Sequence, residues 1–373
     1  MTLLQPLLTS SPKKLANSVI MAIGQMRSRS GEEMLFQYLK EERQMLLYSI
    51  LWRQQIPLDA PECLFLALAL QDYQQRYLQT FMQVIAGLGY ENTLGEIKNL
   101  LNSLDGGLRA KTAERLMAVE SRRFVNLILP LIKHLVLYPF QDRNTVDFEV
   151  LILGFDVKTN EPSDRDNRQM DELSSNEGFA NLLLEILTGG DRWMRIGALI
   201  ALSASAKHHL SSSLFILDDG YFQNEPDPLV QQVAAQILSP SPSLAAEDLL
   251  IQRLLFLKQV SFLEKLTLDE LLAVEKNLQK QEFLAGETIF DETSPKNDFY
   301  ILYKGRILVR NKISLSAAGD SQWATMRLKP GQYLSNPTNG ELPTTVAIAS
   351  NNCIVLILKY QDWQNLGIGI LPQ

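Results

Sequence analysis

The sequence predicts a two-part α+β protein, with an N-terminal α-solenoid over 1–250 followed by a C-terminal β jelly-roll within 251–373. Three observations carry this expectation. From Ser10 to about Leu250 apolar residues recur at helical spacing with few strand signals. From Phe283 to Val309, FLAGETIFDETSPKNDFYILYKGRILV, the pattern switches to period two and is punctuated by Gly286 and Gly305. The chain has 373 residues, 46% of them hydrophobic and 21% charged, enough to fill a core in each of two domains.

Ser11-Pro12 has the form of an N-cap with Pro at the first helical position, ahead of Leu15, Val19, Ile20 and Ile23 on one face. Glu32 to Trp52 is a second amphipathic segment, stopped by Pro57. Asp59-Ala60-Pro61 caps a third through Leu64, Leu66, Leu68 and Leu70, and Gln74–Leu88 and Thr93–Leu104 follow. Lengths of 12–20 residues with short linkers predict consecutive helices packed on one another. Phe124 to Phe140 is the longest apolar run; Pro130, Lys133 and His134 interrupt it, so it is expected to be a buried helix broken at Pro130, too short to span a membrane. Glu161 to Gly178, EPSDRDNRQMDELSSNEG, is polar and free of aromatics, and is expected to be a loop. Ser239-Pro240-Ser241-Pro242-Ser243 is a second break. Leu244–Leu257 then reads as a connecting helix and Thr267–Leu272 as a short capped one.

Three stretches echo one another: those beginning at Asp105, at Asp191 and at Pro226-Asp227-Pro228. Each has an acidic cap, then an apolar residue, a polar pair and small residues where helices approach closely. The pattern resembles the HEAT-type repeat, whose helical hairpins bury their faces against neighbours and leave an extended concave surface for partners.

The period-two segment resembles the cyclic-nucleotide-binding domain family over roughly Leu255 to Leu366. The shared features are the Gly286-Glu287 turn, Asp298-Phe299-Tyr300-Ile301, Gly305, and Met326–Tyr333 with its Lys329-Pro330-Gly331 turn. The resemblance implies a jelly-roll from about Gln281 to Leu358. It also implies a ligand cassette with a helix N-terminus, a Glu for the ribose hydroxyl and an Arg for the phosphate. Here the sequence departs. Placing Leu334-Ser335-Asn336 on the cassette loses its Gly and its acid. Placing Gly340-Glu341-Leu342 there leaves no room for the cassette helix before Thr345-Val346. Arg327 is the last arginine of the chain, and only Lys359 follows as a cation after Lys329. The helix that closes over the ligand in the family is expected to be reduced to one or two turns in Tyr360–Leu366.

Composition narrows the remaining functions. The formal charge is −7; from Ile251 onward there are 13 Lys+Arg against 12 Asp+Glu, leaving 22 against 30 before it, a helical part at −8 that is poorly suited to nucleic-acid phosphates. Cys63 and Cys353 lie far apart, which fits neither a disulfide framework nor a metal knuckle and is in keeping with a reducing cytoplasm. His134 and the adjacent His208–His209 lack metal-ligand spacing. No Gly-rich phosphate loop, G-x-S-x-G or H-E-x-x-H is present. Helical repeats joined to this β domain resemble the cytosolic half of bacterial nucleotide-translocase-like membrane proteins.

The expected function is therefore a non-catalytic cytoplasmic scaffold or regulatory adaptor. It would use no cofactor and no metal, and would bind a protein partner through the repeat surface, with a membrane complex as the first candidate and no transmembrane segment of its own. The alternative is a sensor of a cyclic nucleotide or another anion through a rebuilt pocket of Ser335, Asn336, Gly340 and Glu341.

Overall fold

The computed structural model describes residues 13–57, 60–103, 105–119, 121–137, 169–208, 222, 224–238, 250–291, 294, 298–314, 321–335 and 345–367. The chain divides into two compact units, Met1–Pro240 and Ser241–Gln373. The described structure is mixed, helical in the first unit and carrying two antiparallel sheets in the second.

The described helices of the first unit are α1 (Lys13–Gln25), α2 (Arg29–Gln55), α3 (Leu64–Leu88), α4 (Glu91–Asn102), α5 (Gly106–Leu116), α6 (Arg122–Leu137), α7 (Gln169–Gly189), α8 (Arg192–His208) and α9 (Pro228–Leu238). Sequence neighbours from α1 to α6 and from α7 to α9 pack on one another, and α3 is the hub, touching α1, α2, α4 and α8. Its position follows from its sequence: apolar residues occur on every side of it, and Phe65, Leu66, Leu70, Phe81, Val84 and Ile85 are all buried. Two crossings are set by glycine. A Cβ on Gly24 of α1 would lie 2.4 Å from the Gly87 carbonyl carbon of α3, and one on Gly197 of α8 would lie 2.6 Å from the Leu66 Cα.

The three echoing stretches each open a helix with an aspartate cap. Asp105 Oδ1 accepts from the Gly107 and Leu108 amides at 2.6 and 3.2 Å. Asp191 Oδ1 accepts from the Met194 amide at 3.0 Å. Asp227 Oδ1 accepts from Leu229 and Val230 at 2.9 and 3.4 Å. Each aspartate satisfies amides that a helix start leaves without intrahelical partners. Four residues after its cap, Arg195 donates to Glu225 Oε1 at 2.5 Å, joining the start of α8 to the approach to α9.

Several local expectations are corrected. Leu64 to Leu88 is one helix of 25 residues, because nothing between Leu70 and Gln74 breaks it. α2, with 27 residues, also exceeds the expected length. α6 runs through Pro130; the carbonyl deprived of its intrahelical donor belongs to Asn126, a solvent-exposed position of the helix. The polar stretch expected as a loop is helical from Gln169, where Gln, Met, Glu and Leu are good helix formers and polarity alone misled; 161–168 lies outside the described residues. Ser11, Pro12, Asp59 and the break at 239–243 also lie outside them. Among the described residues no helix is long and apolar enough to cross a membrane.

In the second unit, α10 (Leu250–Leu257) and α11 (Leu268–Glu275) precede the sheets. Thr267 and Glu270 form a reciprocal capping box at α11, and Arg253 Nε donates to Glu275 Oε1 at 2.8 Å, tying the two helices together. Eight strands follow: β1 (Gln279–Phe283), β2 (Thr288–Phe290), β3 (Phe299–Lys304), β4 (Ile307–Ser314), β5 (Ser321–Leu328), β6 (Tyr333–Ser335), β7 (Thr345–Ala349) and β8 (Cys353–Leu358). They form two four-stranded antiparallel sheets, ordered β1-β8-β3-β6 and β2-β7-β4-β5. β1 ends at Phe283, and Leu284–Glu287 turns back with Gly286 at φ 90°. Gly305, at φ 98°, makes the tight β3–β4 turn, and a Cβ there would lie 2.6 Å from the Asn352 carbonyl oxygen.

Alternation gives the two central strands of the first sheet, β3 and β8, two buried faces. Tyr300, Leu302 and Val355 point to the core shared with Phe290, Val309 and Ala347 of the second sheet. Phe299, Ile301, Leu356 and Leu358 are buried as well. Of these, Phe299 is covered by the flanking segments, where Phe262 stacks on it at 5.0 Å. The last described helix, α12 (Tyr360–Leu366), packs on α11 and brings Trp363 to within 5.9 Å of Phe299 and 5.7 Å of Phe262.

Candidate functional site

The cassette region suggested by sequence lies between β6 and β7. β6 pairs only three residues with β3, Phe299 with Ser335, Tyr300 with Leu334 and Ile301 with Tyr333. Directly paired residues share a face, so Ser335 lies on the Phe299 side of the sheet, whereas Leu334 packs on the inner core. Ser335 is half-buried. Asn336, Gly340 and Glu341 lie outside the described residues, so of the four proposed ligand residues only Ser335 has a place. Arg327, the last arginine, is exposed on β5 opposite Leu308.

Below this region, Tyr300 meets Phe290 edge-on at 5.3 Å within the core. Burial raises its hydroxyl above the ordinary tyrosine range, and the nearby Asp298 carboxylate adds to the effect. Asp298 itself, 9% exposed, accepts the Tyr360 amide at the start of α12. Cys353 is buried, its thiol donating to the carbonyls of Arg306 and Asn351 at 3.1 and 3.0 Å. These contacts hold strand ends together; they pair no nucleophile with a base. Among the described residues no group of three or more His, Cys, Asp or Glu is placed to hold a metal.

The first unit has one polar cluster that the sequence did not reveal. Arg76 of α3 donates through Nε to Asp72 Oδ2 at 2.7 Å and through a second nitrogen to Asp191, the cap of α8. Its guanidinium lies over the Tyr73 ring, and the Tyr73 hydroxyl donates to Glu42 Oε2 of α2 at 2.8 Å. Burial, and then the Glu42 carboxylate, push the Tyr73 hydroxyl well above the usual range. Three helices are thus joined by charge-assisted bonds that run from the buried Asp72 out to the exposed Glu42. An open cleft of about 310 Å³ lies beside α1, lined by Gly24, Arg27, Ser28, Glu32, Gly89 and Tyr90. Ser28 already accepts from the Gly31 amide as the α2 cap, so part of its polar lining serves a helix end.

No family profile matches the chain, and no curated protein matches it. Solved structures do. One is the regulatory domain of Toxoplasma gondii PKA crystallised with cAMP, at 22% identity and TM-score 0.27, covering 31% of this chain and 44% of that one. Another is the regulatory subunit of a cAMP-independent protein kinase A from Trypanosoma cruzi bound to guanosine, at 23% identity and TM-score 0.27, covering 31% and 40%. A cyclic nucleotide-binding-like protein from Brucella abortus matches at 18% identity and TM-score 0.25, covering 31% of this chain and 96% of that one. The chain spans less than half the length of the two kinase regulatory proteins.

Proposed function

We propose that this chain is a non-catalytic cytoplasmic regulatory adaptor. In this reading the first unit is a HEAT-like solenoid that binds a protein partner, with a complex at a membrane as the first candidate. The second is a jelly-roll of cyclic-nucleotide-binding type that retains its framework without its phosphate ligands, as in the cytosolic half of nucleotide-translocase-like membrane proteins. One observation carries the reading. Arg327 is the last arginine in the sequence and is exposed on β5 opposite Leu308, and no arginine lies in 328–373 to meet a phosphate in the cassette. A buried phosphate deprived of that cation loses a charge-assisted bond of about 1.5–3 kcal/mol, at least tenfold in affinity.

The test is a thermal melt of the full chain with millimolar cyclic AMP or cyclic GMP. A ligand at 100 times its dissociation constant would add about 2.7 kcal/mol to stability. The expected result is no shift, with a stoichiometric protein retained when the chain is used as bait. A rise of several degrees would overturn the reading in favour of a sensor, and loss of that rise in Glu341→Ala would assign the pocket.

A further inference from the structure

The second sheet has an unusual charge distribution. Its four strands, β2, β7, β4 and β5, contain no Asp or Glu at all. Residues 305–329 hold five Lys or Arg against the single acid Asp320. The register places the cations on one face. Thr288, Ile348, Leu308 and Arg327 form one row across the four strands, and Val346, Arg310 and Thr325 form the next. Arg306, just before β4, and Lys329, just after β5, continue the same alternation. Arg306, Arg310, Arg327 and Lys329 are all exposed, and Leu308, Val346 and Ile348 between them are half-exposed. This is the side of the sheet opposite the inner core, to which Ile307, Val309, Leu328, Ala347 and Ala349 point. Arg306 is held by its backbone, its amide donating to Asn351 Oδ1 at 2.8 Å and its carbonyl accepting from Ser350 at 2.9 Å.

Arg310 and Arg327 are diagonal neighbours across β4 and β5, paired directly with Thr325 and Leu308, so the cations lie close together on one face without being directly opposed. We propose that the outer face of the second sheet docks on an anionic lipid bilayer, through Arg306, Arg310, Arg327 and Lys329 with Leu308, Val346 and Ile348 against the interface. Three features favour a bilayer over an acidic protein segment. The described part of the face is the open outer surface of a four-stranded sheet. Its cations flank aliphatic residues in the way that amphipathic membrane-surface elements combine the two. It spans about 13 Å along β4, four residues at the strand rise, so all four cations fit under one flat surface. The net negative charge of the chain does not forbid this, because at physiological salt charges beyond about 8 Å are largely screened. The proposal stands independently of the adaptor reading.

The experiment is co-sedimentation of the full chain with vesicles of phosphatidylcholine alone and of phosphatidylcholine mixed equally with phosphatidylglycerol. Binding to the anionic vesicles alone is expected, lost at about 1 M salt, where the screening length falls to about 3 Å. Each cation removed should lower the partition about fivefold, and the double variant Arg310→Glu/Arg327→Glu about 25-fold or more, at an unchanged melting temperature. If that double variant fails to fold, Arg306→Gln/Lys329→Gln, which lies outside the strands, gives the same reading. Lys280→Glu on β1 of the other sheet should leave binding intact. Equal binding to both vesicle types, or binding undiminished in the double variants, would overturn the proposal. Retention on a polyglutamate resin without vesicle binding would overturn it too, and assign the face to an acidic protein.

Discussion

Asp298, at the threshold of β3, caps a helix 62 residues further on: its Oδ1 accepts the Tyr360 amide at 2.9 Å. Lys359, the formal cap position of α12, contributes no side-chain bond, so the aspartate supplies what the local sequence lacks. Through this bond the β3 edge fixes where α12 begins, and with it the placement of Trp363 against Phe262 and Phe299.

Asp298→Ala should therefore destabilise the second unit by about 1 kcal/mol, the usual worth of a helix cap, whereas Asp298→Asn should lie close to the parent. Denaturant midpoints measure this. Equal losses in the two variants would show that the carboxylate matters through something other than accepting the amide.

The Gly24–Gly87 crossing is asymmetric. A Cβ at Gly24 would meet backbone at 2.4 Å, but one at Gly87 meets nothing closer than 3.5 Å. Gly24→Ala should cost about 1–3 kcal/mol through forced separation of α1 from α3. Gly87→Ala should be near neutral, its contacts offset by the better helix propensity of alanine. Paired melting curves test both; equal effects would mean that α1 is not held at this distance.

Alkaline pH should weaken the first unit. Burial raises the hydroxyls of Tyr73 and Tyr77 above their unfolded value of about 10, and Glu42 adds to the effect at Tyr73. The unfolded chain therefore loses these protons first. Their contribution is complete below about pH 10 and is lost as pH climbs from there towards the folded values, at about 1.4 kcal/mol per pH unit for each tyrosine. Melting midpoints followed from about pH 8 to about pH 11 should fall beyond pH 10, and fall less steeply in Tyr73→Phe. An identical slope in that variant would remove Tyr73 from the account.

What the sequence made legible was local. The switch to alternation near Phe283, the Thr267–Glu270 cap and the aspartates at 105, 191 and 227 each depend on neighbours within a few positions, and the structure has each of them. Pro130 and the polar run from Gln169 misled because an exposed helix face at Asn126 and a docked helix override propensity. The cap from Asp298, the bond from Arg76 to Asp191 and the cation face were not readable, since each joins residues brought together only by the fold. Of the proposed pocket, Ser335 alone has a described position, and it lies on the face of Phe299.

The Arg76–Asp191 bond has a consequence for biosynthesis. The partners are 115 residues apart, yet α3 is the hub on which α1, α2 and α4 also assemble. A ribosome adding about 5–20 residues each second needs roughly 6–23 s between adding Arg76 and adding Asp191. Through that interval the side of α3 that later receives Gly197 at Leu66 is exposed on the nascent chain, and it is an apolar surface of the kind that chaperones hold. The first unit thus closes late, from its far end, and slow synthesis between α6 and α8 lengthens the time that this face stands open.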